Sequence, residues 1–297
     1  MSLVAVDWGT SSLRGALLGD DGRVLEEKTA PRGILTVPAG GFADVFDSIF
    51  GAWMQPAGSF CLISGMAGSQ QGWAEAAYET CPAGLPDLAR RLCWIESDRI
   101  AIVPGLCDDR DGVPDVMRGE EVQIFGARQL TGIANGLFVL PGTHNKWATV
   151  RDGRVTGFRT CMTGEFYSVL SQHSILARTL QADAPLDEAA FLRGVARAAN
   201  GEGLLHNAFG ARTLGLFQRL PPAALSSYLS GVLIGEELRA QSLDGIGEVV
   251  LIGAPVLTTR YALALRSVGI EARTFGTEAT WAGAHALHTV LRGRHSP

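Results

Sequence analysis

The hydrophobic pattern opens with an apolar run, Leu3-Val4-Ala5-Val6, which ends on Asp7 and a Gly9-Thr10 turn. An apolar stretch over 13–18 follows, then a polar turn at Gly19-Asp20-Asp21-Gly22 and a third stretch from Val24, together predicting a β-hairpin. A reduced copy recurs later. There Leu137-Phe138-Val139-Leu140 runs into Gly142-Thr143, then an apolar stretch over 147–150, the turn Arg151-Asp152-Gly153 and a strand from Val155. Between the copies the pattern predicts a helix over 42–53 and a buried strand over 60–64 that closes on Gly65. Strand signal over 94–103 is interrupted by charges, and a helix starts after Gly119 with Glu120 and Glu121 in its first turn, where acidic side chains suit the helix dipole. Beyond the second copy come a helix over 165–180, Ala- and Leu-rich helices up to 240 and a strand over 249–252 that ends at Gly253-Ala254-Pro255. A helix over 259–268, a short strand over 272–275 and a last helix over 279–291 complete the pattern. Strands alternating with helices in both halves predict α/β layers. The natural boundary falls just before the second hairpin, giving lobes 1–133 and 134–297.

Composition narrows this picture modestly. The 297 residues are enough for two domains, and 46% hydrophobic against 19% charged residues is a globular balance. A formal net charge of −5 without any basic run argues against a nucleic-acid partner. Five cysteines without C-x-x-C spacing read as reduced thiols rather than a disulfide framework or zinc site. With no signal-peptide pattern and no apolar stretch of membrane-spanning length, the expectation is a cytoplasmic protein without membrane attachment, either monomer or homodimer. Glycine is the outlier: 37 residues, many of them directly after apolar runs, where strand-to-turn junctions need them.

Those junctions carry the chemistry. A glycine lets backbone approach a phosphate closely, and neighbouring hydroxyl and N–H groups donate to it. Gly9-Thr10-Ser11 and Gly142-Thr143-His144 are therefore candidate contacts for one polyphosphate gripped by two lobes. An Asp at the end of a very apolar strand needs a partner, and Asp7 suits a Mg²⁺ ion, which keeps several waters and takes only one or two protein carboxylates. The alternative reading of each turn is an ordinary turn.

The pattern Asp7-Trp8-Gly9-Thr10-Ser11-Ser12-Leu13-Arg14, its Gly142-Thr143 echo and the late glycine turn at Gly253 resemble the sugar kinase, hexokinase and actin-like ATPase superfamily. Several stretches resemble the 2-dehydro-3-deoxygalactonokinase family more narrowly. In order, they are Gly65-Met66-Ala67-Gly68-Ser69 with Gly72-Trp73, Pro104-Gly105-Leu106-Cys107, Val116-Met117-Arg118-Gly119-Glu120-Glu121, Leu140-Pro141-Gly142-Thr143-His144-Asn145-Lys146-Trp147 and Met162-Thr163-Gly164-Glu165. The resemblance implies two ribonuclease-H-like lobes with mixed sheets and an interlobe cleft. It implies a sugar-acid substrate, ATP with Mg²⁺, and transfer of the γ-phosphoryl group to the 6-hydroxyl of 2-dehydro-3-deoxy-D-galactonate. On that pattern the N-terminal lobe takes the sugar acid and the C-terminal lobe takes adenosine.

Roles follow residue by residue. Phosphoryl transfer to an alcohol calls for a carboxylate that accepts the hydroxyl proton. Glu120 after Gly119 resembles the catalytic Asp of related sugar kinases, while alignment on Phe125-Gly126 shifts the register and makes Glu121 the alternative. Arg118, with a planar fork suited to a carboxylate, is the expected clamp on the acid group. Arg14, Met66, Gly68, Ser69, Trp73, Leu106 and Cys107 are the other substrate candidates, although Cys107 could equally be an inert thiol. His144, Asn145 and Lys146 form a polar trio at the second turn. They are expected at phosphate or substrate, with Lys146 alternatively on a solvent face. Gly253 and Ala254 resemble the adenosine loop, and Gly235 and Glu236 are placed on the helix facing it. Pro141 stands where the superfamily often has a second acidic residue, so only the first hairpin is an expected metal site. A kinase for another sugar or sugar acid and a nucleotide-driven binding or regulatory protein remain the rival functions.

Overall fold

The structure, a computed structural model, describes residues 2–110 and 112–294. Two compact units emerge: Met1–Phe138 with Ala148–Arg159 and Phe275–Pro297, and Val139–Trp147 with Thr160–Thr274.

The chain begins with β1 (Leu3–Trp8), β2 (Leu13–Leu18), β3 (Val24–Ala30), α1 (Phe42–Phe50), β4 (Phe60–Gly65), β5 (Tyr78–Thr80) and α2 (Leu85–Arg90). It continues with β6 (Cys93–Glu96), β7 (Ile100–Ile102), β8 (Gly105–Asp108), β9 (Asp115–Met117) and α3 (Glu120–Thr131). β1 pairs antiparallel with β2 and parallel with β4, in a mixed sheet of order β3-β2-β1-β4-β7-β6. Leu3, Val4, Ala5 and Val6 are all buried, as a central strand covered on both faces requires, and this explains the unbroken apolar run. Phe42, Val45, Phe46 and Phe50 recur at helical spacing on α1 and pack with Trp8, Trp53 and Ile63. The charge-broken signal over 94–103 resolves into β6 and β7, with Asp98 at φ +56° in the turn between them. A small sheet, β5-β8-β9, has strands too short for a sequence period to reveal.

The second half contributes β10 (Gly136–Leu140), β11 (Asn145–Arg151), β12 (Arg154–Cys161), α4 (Thr163–His173), α5 (Glu188–Ala198) and α6 (Leu204–Leu216). Then follow α7 (Pro222–Arg239), β13 (Glu248–Ile252), α8 (Pro255–Ser267), β14 (Glu271–Phe275) and α9 (Glu278–Arg294). Its sheet order, β12-β11-β10-β13-β14, repeats the order β3-β2-β1-β4-β7 of the first sheet. Each Gly-Thr turn thus joins the equivalent strand pair of its own sheet. The predicted helix over 165–180 breaks at Ser174, whose side chain accepts the Leu176 N–H and restarts the chain as a short 3₁₀ turn. α8 begins at Pro255, earlier than predicted, because proline is well tolerated in a first helical turn.

A single boundary after residue 133 does not describe the compact units. Helix α9 belongs to the first: Trp281 Nε1 donates to Glu27 on β3 at 2.6 Å, and His288 stacks on Phe60 at 5.2 Å. Among the described residues no helix is long and apolar enough to cross a membrane.

Candidate active site

In the first unit, three segments converge at the C-terminal end of β1, the end of an open sheet where ligands bind. The turn after β1 is closed by Gly9 N–H to Ser12 O at 2.9 Å and leaves Thr10 and Ser11 exposed. Asp7, across the β1–β2 ladder from Arg14, accepts its guanidinium at 2.6 Å. Arg14 is therefore engaged with the expected metal ligand. Gly65, at φ +89°, follows on β4, and a side chain there would lie 3.2 Å from Asp7 Oδ1. Gly119, at φ +103°, packs against the Cα of Gly65, so α3 starts directly beside the end of β1. Two left-handed glycines thus bring Asp7 and the Glu120-Glu121 pair to one place.

The two glutamates face different surroundings. Glu120 is half-buried, and its Oε2 accepts the Arg118 N–H at 2.9 Å. Glu121 is fully buried, and its Oε2 accepts the Gly119 N–H at 2.7 Å. Burial, followed by the Glu120 charge, pushes the Glu121 carboxyl up to about 8. Sealed from solvent and bonded to the Gly119 N–H, this carboxyl buttresses the turn, while Glu120 remains partly exposed. Arg118 is 9% exposed, lies over the Tyr78 ring at 4.3 Å and donates to Ala76 O at 2.8 Å. Its Nε and Nη1 are buried without a hydrogen-bond partner among the described residues. Buried guanidinium donors left unpaired cost free energy, and an acidic ligand would satisfy them.

The remaining substrate candidates separate by burial. Gly68 lies against Arg118, since a side chain there would come 2.8 Å from Nη1, and Ser69 donates to Met66 O at 2.8 Å. Trp73 is half-buried among aromatics, 5.5 Å from Phe46 and 6.1 Å from Trp8. Leu106 is completely buried, so the expectation of a substrate contact from its side chain is corrected to core packing. Cys107 is partly exposed, and burial raises its thiol above the ordinary range, which suits an inert group. Tyr78 and Ala76, the platform of Arg118, escaped the sequence reading because nothing in the pattern marks a cation–aromatic pair.

In the second unit, the Gly142-Thr143 turn rests on the first turn of α4. A side chain at Gly164 would meet Gly142 O at 2.1 Å, and Glu165 N–H donates to Thr143 O at 3.0 Å. His144 is exposed and meets Glu165 at 2.5 Å. Asn145 is buried beside the turn with its amide engaged inside the protein: Oδ1 accepts the Gly142 N–H at 2.6 Å and Nδ2 donates to Glu237 at 2.8 Å. Glu237, 5% exposed, also accepts Trp147 Nε1 at 2.5 Å, the Tyr261 hydroxyl at 2.6 Å and the Thr163 hydroxyl. One carboxylate therefore ties β11, α4, α7 and α8 around the second turn. Lys146 is buried rather than on a solvent face, donating to Thr160 Oγ1 at 2.7 Å.

Beside that turn lies a cavity of about 430 Å³, within the usual range for small-molecule sites. Gly142 and Thr143 form one part of its wall, and apolar side chains such as Leu233, Ile234, Val256 and Leu257 form another. Gly253 sits beside Pro141 at the ends of the neighbouring strands β13 and β10, and Ala254 caps α8 just before the cavity wall begins. The placement of Gly235 and Glu236 on this wall is corrected. A side chain at Gly235 would meet Ala198 at 2.8 Å, and Glu236 accepts Asn207 Nδ2 at 2.8 Å and pairs with Arg239. Ser230, Leu233 and Ile234 take the cavity face instead. Helix α7 is buried all round from Ala224 to Leu238, so no amphipathic stripe distinguishes its faces in the sequence. Glu237 did leave a signal, as a carboxylate inside an apolar helix, but not its direction.

Comparison with known proteins bears on the whole chain. A model of the 2-keto-3-deoxy-galactonokinase family matches residues 7–287. The chain is 41% identical over 291 residues to a probable 2-dehydro-3-deoxygalactonokinase of Rhizobium meliloti, covering 95% of each protein. It is 33% identical over 271 residues to the 2-dehydro-3-deoxygalactonokinase of Escherichia coli, covering 90% of each. A crystal structure of a Sinorhizobium meliloti protein assigned as such a kinase superposes with a TM-score of 0.89 at 38% identity, covering 99% of this chain and 100% of the other. At the level of fold alone, component A of the Acidaminococcus fermentans (R)-2-hydroxyglutaryl-CoA dehydratase gives a TM-score of 0.54 at 14% identity, covering 99% of both chains. The architecture is the actin-like ATPase fold, and the chain belongs to the 2-keto-3-deoxy-galactonokinase family.

Proposed function

We propose that this kinase transfers the γ-phosphoryl group of ATP to the 6-hydroxyl of 2-dehydro-3-deoxy-D-galactonate, giving the 6-phosphate and ADP in galactonate catabolism. Arg118 carries the reading: a buried guanidinium with two unpaired donors stands two residues from a half-buried carboxylate. A substrate bearing both a carboxylate and a hydroxyl answers to that pair. Glu120 accepts the hydroxyl proton, the freed oxygen attacks the γ-phosphorus, and the bond to the β–γ bridging oxygen breaks to release ADP. Gly68 gives Arg118 room, and Met66, Ser69 and Trp73 edge the acid side of the site. Gly9, Thr10 and Ser11 on one turn, and Gly142, Thr143 and His144 on the other, are the phosphate contacts. Gly253 and Ala254 approach the adenosine.

Among the described residues no three His, Cys, Asp or Glu side chains gather to hold a metal. Asp7, already paired with Arg14, fits a magnesium ion carried in by the polyphosphate rather than a resident metal. Held there, the ion would supply charge neutralisation to the transferring phosphoryl group.

The test is mass spectrometry of reactions containing ATP and 2-dehydro-3-deoxygalactonate, with the gluconate epimer in parallel. The expected result is a phosphorylated product from the galactonate at the higher rate. Preference for the epimer would move the substrate assignment, and ADP release without any phosphorylated sugar acid would remove the kinase reading.

A further inference from the structure

The cavity of the second unit contains a guanidinium with an unpaired donor. Arg260, on α8, lines it together with Val256 and Leu257, one helical turn earlier on the same face. Its Nη1 is buried and has no hydrogen-bond partner among the described residues. Loss of hydration lowers its pKa, and the electrostatic neighbour on the other side is the Tyr167 phenol, not a carboxylate. The side chain is half-buried, but a sealed guanidinium N–H with no acceptor is a local violation of polar pairing, the kind that marks a functional position.

Position then narrows what it serves. The phosphate end of the cavity is fixed by Gly142 and Thr143, which rest on Gly164 in the first turn of α4. Tyr167 lies three residues, about one helical turn, further along α4, and it is the electrostatic neighbour of Arg260. Leu233 and Ile234, both buried, with the more exposed Val256 and Leu257, give the same cavity an apolar slot that suits a flat ring rather than a charged phosphate. What a heterocycle still needs in such a slot is a donor for its ring-edge acceptors.

Resting on the reading of this cavity as the nucleotide site, we propose that Arg260 is the residue that recognises the base, its Nη1–H donating to an acceptor on the purine edge. Arg260 binds the nucleotide through its base and takes no part in the transfer itself.

Calorimetric titration of ADP and of inorganic tripolyphosphate into the wild type, Arg260→Met and Leu233→Trp tests this. Arg260→Met should weaken ADP roughly tenfold or more, the effect of one lost charge-assisted hydrogen bond, while tripolyphosphate is bound as in the wild type. The same variant should melt at an unchanged or higher temperature without nucleotide, since it removes a buried donor that has no acceptor and keeps an apolar chain of similar reach. Unchanged ADP affinity overturns the proposal, as does an equal loss of ADP and tripolyphosphate, which would make Arg260 a phosphate contact. If tripolyphosphate is too weak to register in either protein, the ADP titration decides. Leu233→Trp fills the slot and separates the two levels. If it leaves ADP binding intact, the cavity is not the nucleotide site. If it abolishes ADP binding and Arg260→Met does not, only the base assignment falls. Arg260→Gln serves as the second variant should the methionine protein fold poorly.

Discussion

Asn145 donates its amide to Glu237 at 2.8 Å while its carbonyl oxygen accepts the Gly142 N–H, so a carboxylate inside α7 sets the backbone of the second Gly-Thr turn. Removing the middle of this chain orphans groups at both ends. Asn145→Ala is expected to raise the KM for ATP about tenfold and to lower the melting temperature by several degrees, because a buried donor and acceptor are left unsatisfied. The KM for the sugar acid should change little. Steady-state kinetics against each substrate and a melting curve check the split.

The contrast between Glu120 and Glu121 gives a sharper kinetic expectation. Glu120→Gln should lower kcat by roughly a hundredfold to ten-thousandfold, the usual contribution of a positioned base, with ADP affinity nearly intact. Near-normal turnover in this variant would remove the base assignment. Calorimetry with ADP shows whether binding survives.

Glu121 also links stability to pH. Its carboxyl is raised to about 8 in the folded chain against an ordinary value of 4.5. Between those values the folded state holds a proton that the unfolded state has released, so this group's contribution to stability is complete below 4.5 and declines as pH rises through 8. Glu121→Gln keeps an acceptor for the Gly119 N–H and cannot ionise. Urea unfolding at pH 5, 7 and 8.5 should show the wild type losing stability relative to this variant as pH rises.

Arg118 offers two unpaired donors to an acid group. Arg118→Met is expected to raise the KM for the sugar acid roughly a hundredfold, about two charge-assisted hydrogen bonds, leaving the KM for ATP within twofold. Arg118→Lys should recover part of the loss, since it restores charge without the planar fork. An acceptor analogue lacking the carboxylate should be indifferent to the methionine substitution, and equal losses with both acceptors would remove the clamp.

Asp7→Asn tests the metal assignment. The magnesium concentration for half-maximal rate should rise about tenfold or more, as when an ion loses a supporting carboxylate. An unaltered magnesium titration would leave Asp7 as the structural partner of Arg14 alone.

What the sequence determined by itself was local and repeated: both Gly-Thr turns, the apolar strands leading into them, and the Arg118–Glu121 cluster at a helix start. These are properties of neighbouring residues, where backbone conformation, strand burial and helix polarity act within a few positions. Tertiary structure decided everything that depends on direction. Leu106 and Asn145 both read as candidate contacts, yet one is sealed in the core while the other lines the cavity with its amide tied to Glu237. Gly235 lies against α5 while Leu233 and Ile234 face the cavity, a choice the uniformly apolar α7 could not encode as a period. Helix α9 returns to the first unit because Trp281 and His288 find Glu27 and Phe60, partners far away in the sequence. Arg260 left no signal: a lone arginine on a helix is an ordinary solvated residue, and only the packing around α8 shows one of its donors sealed without an acceptor.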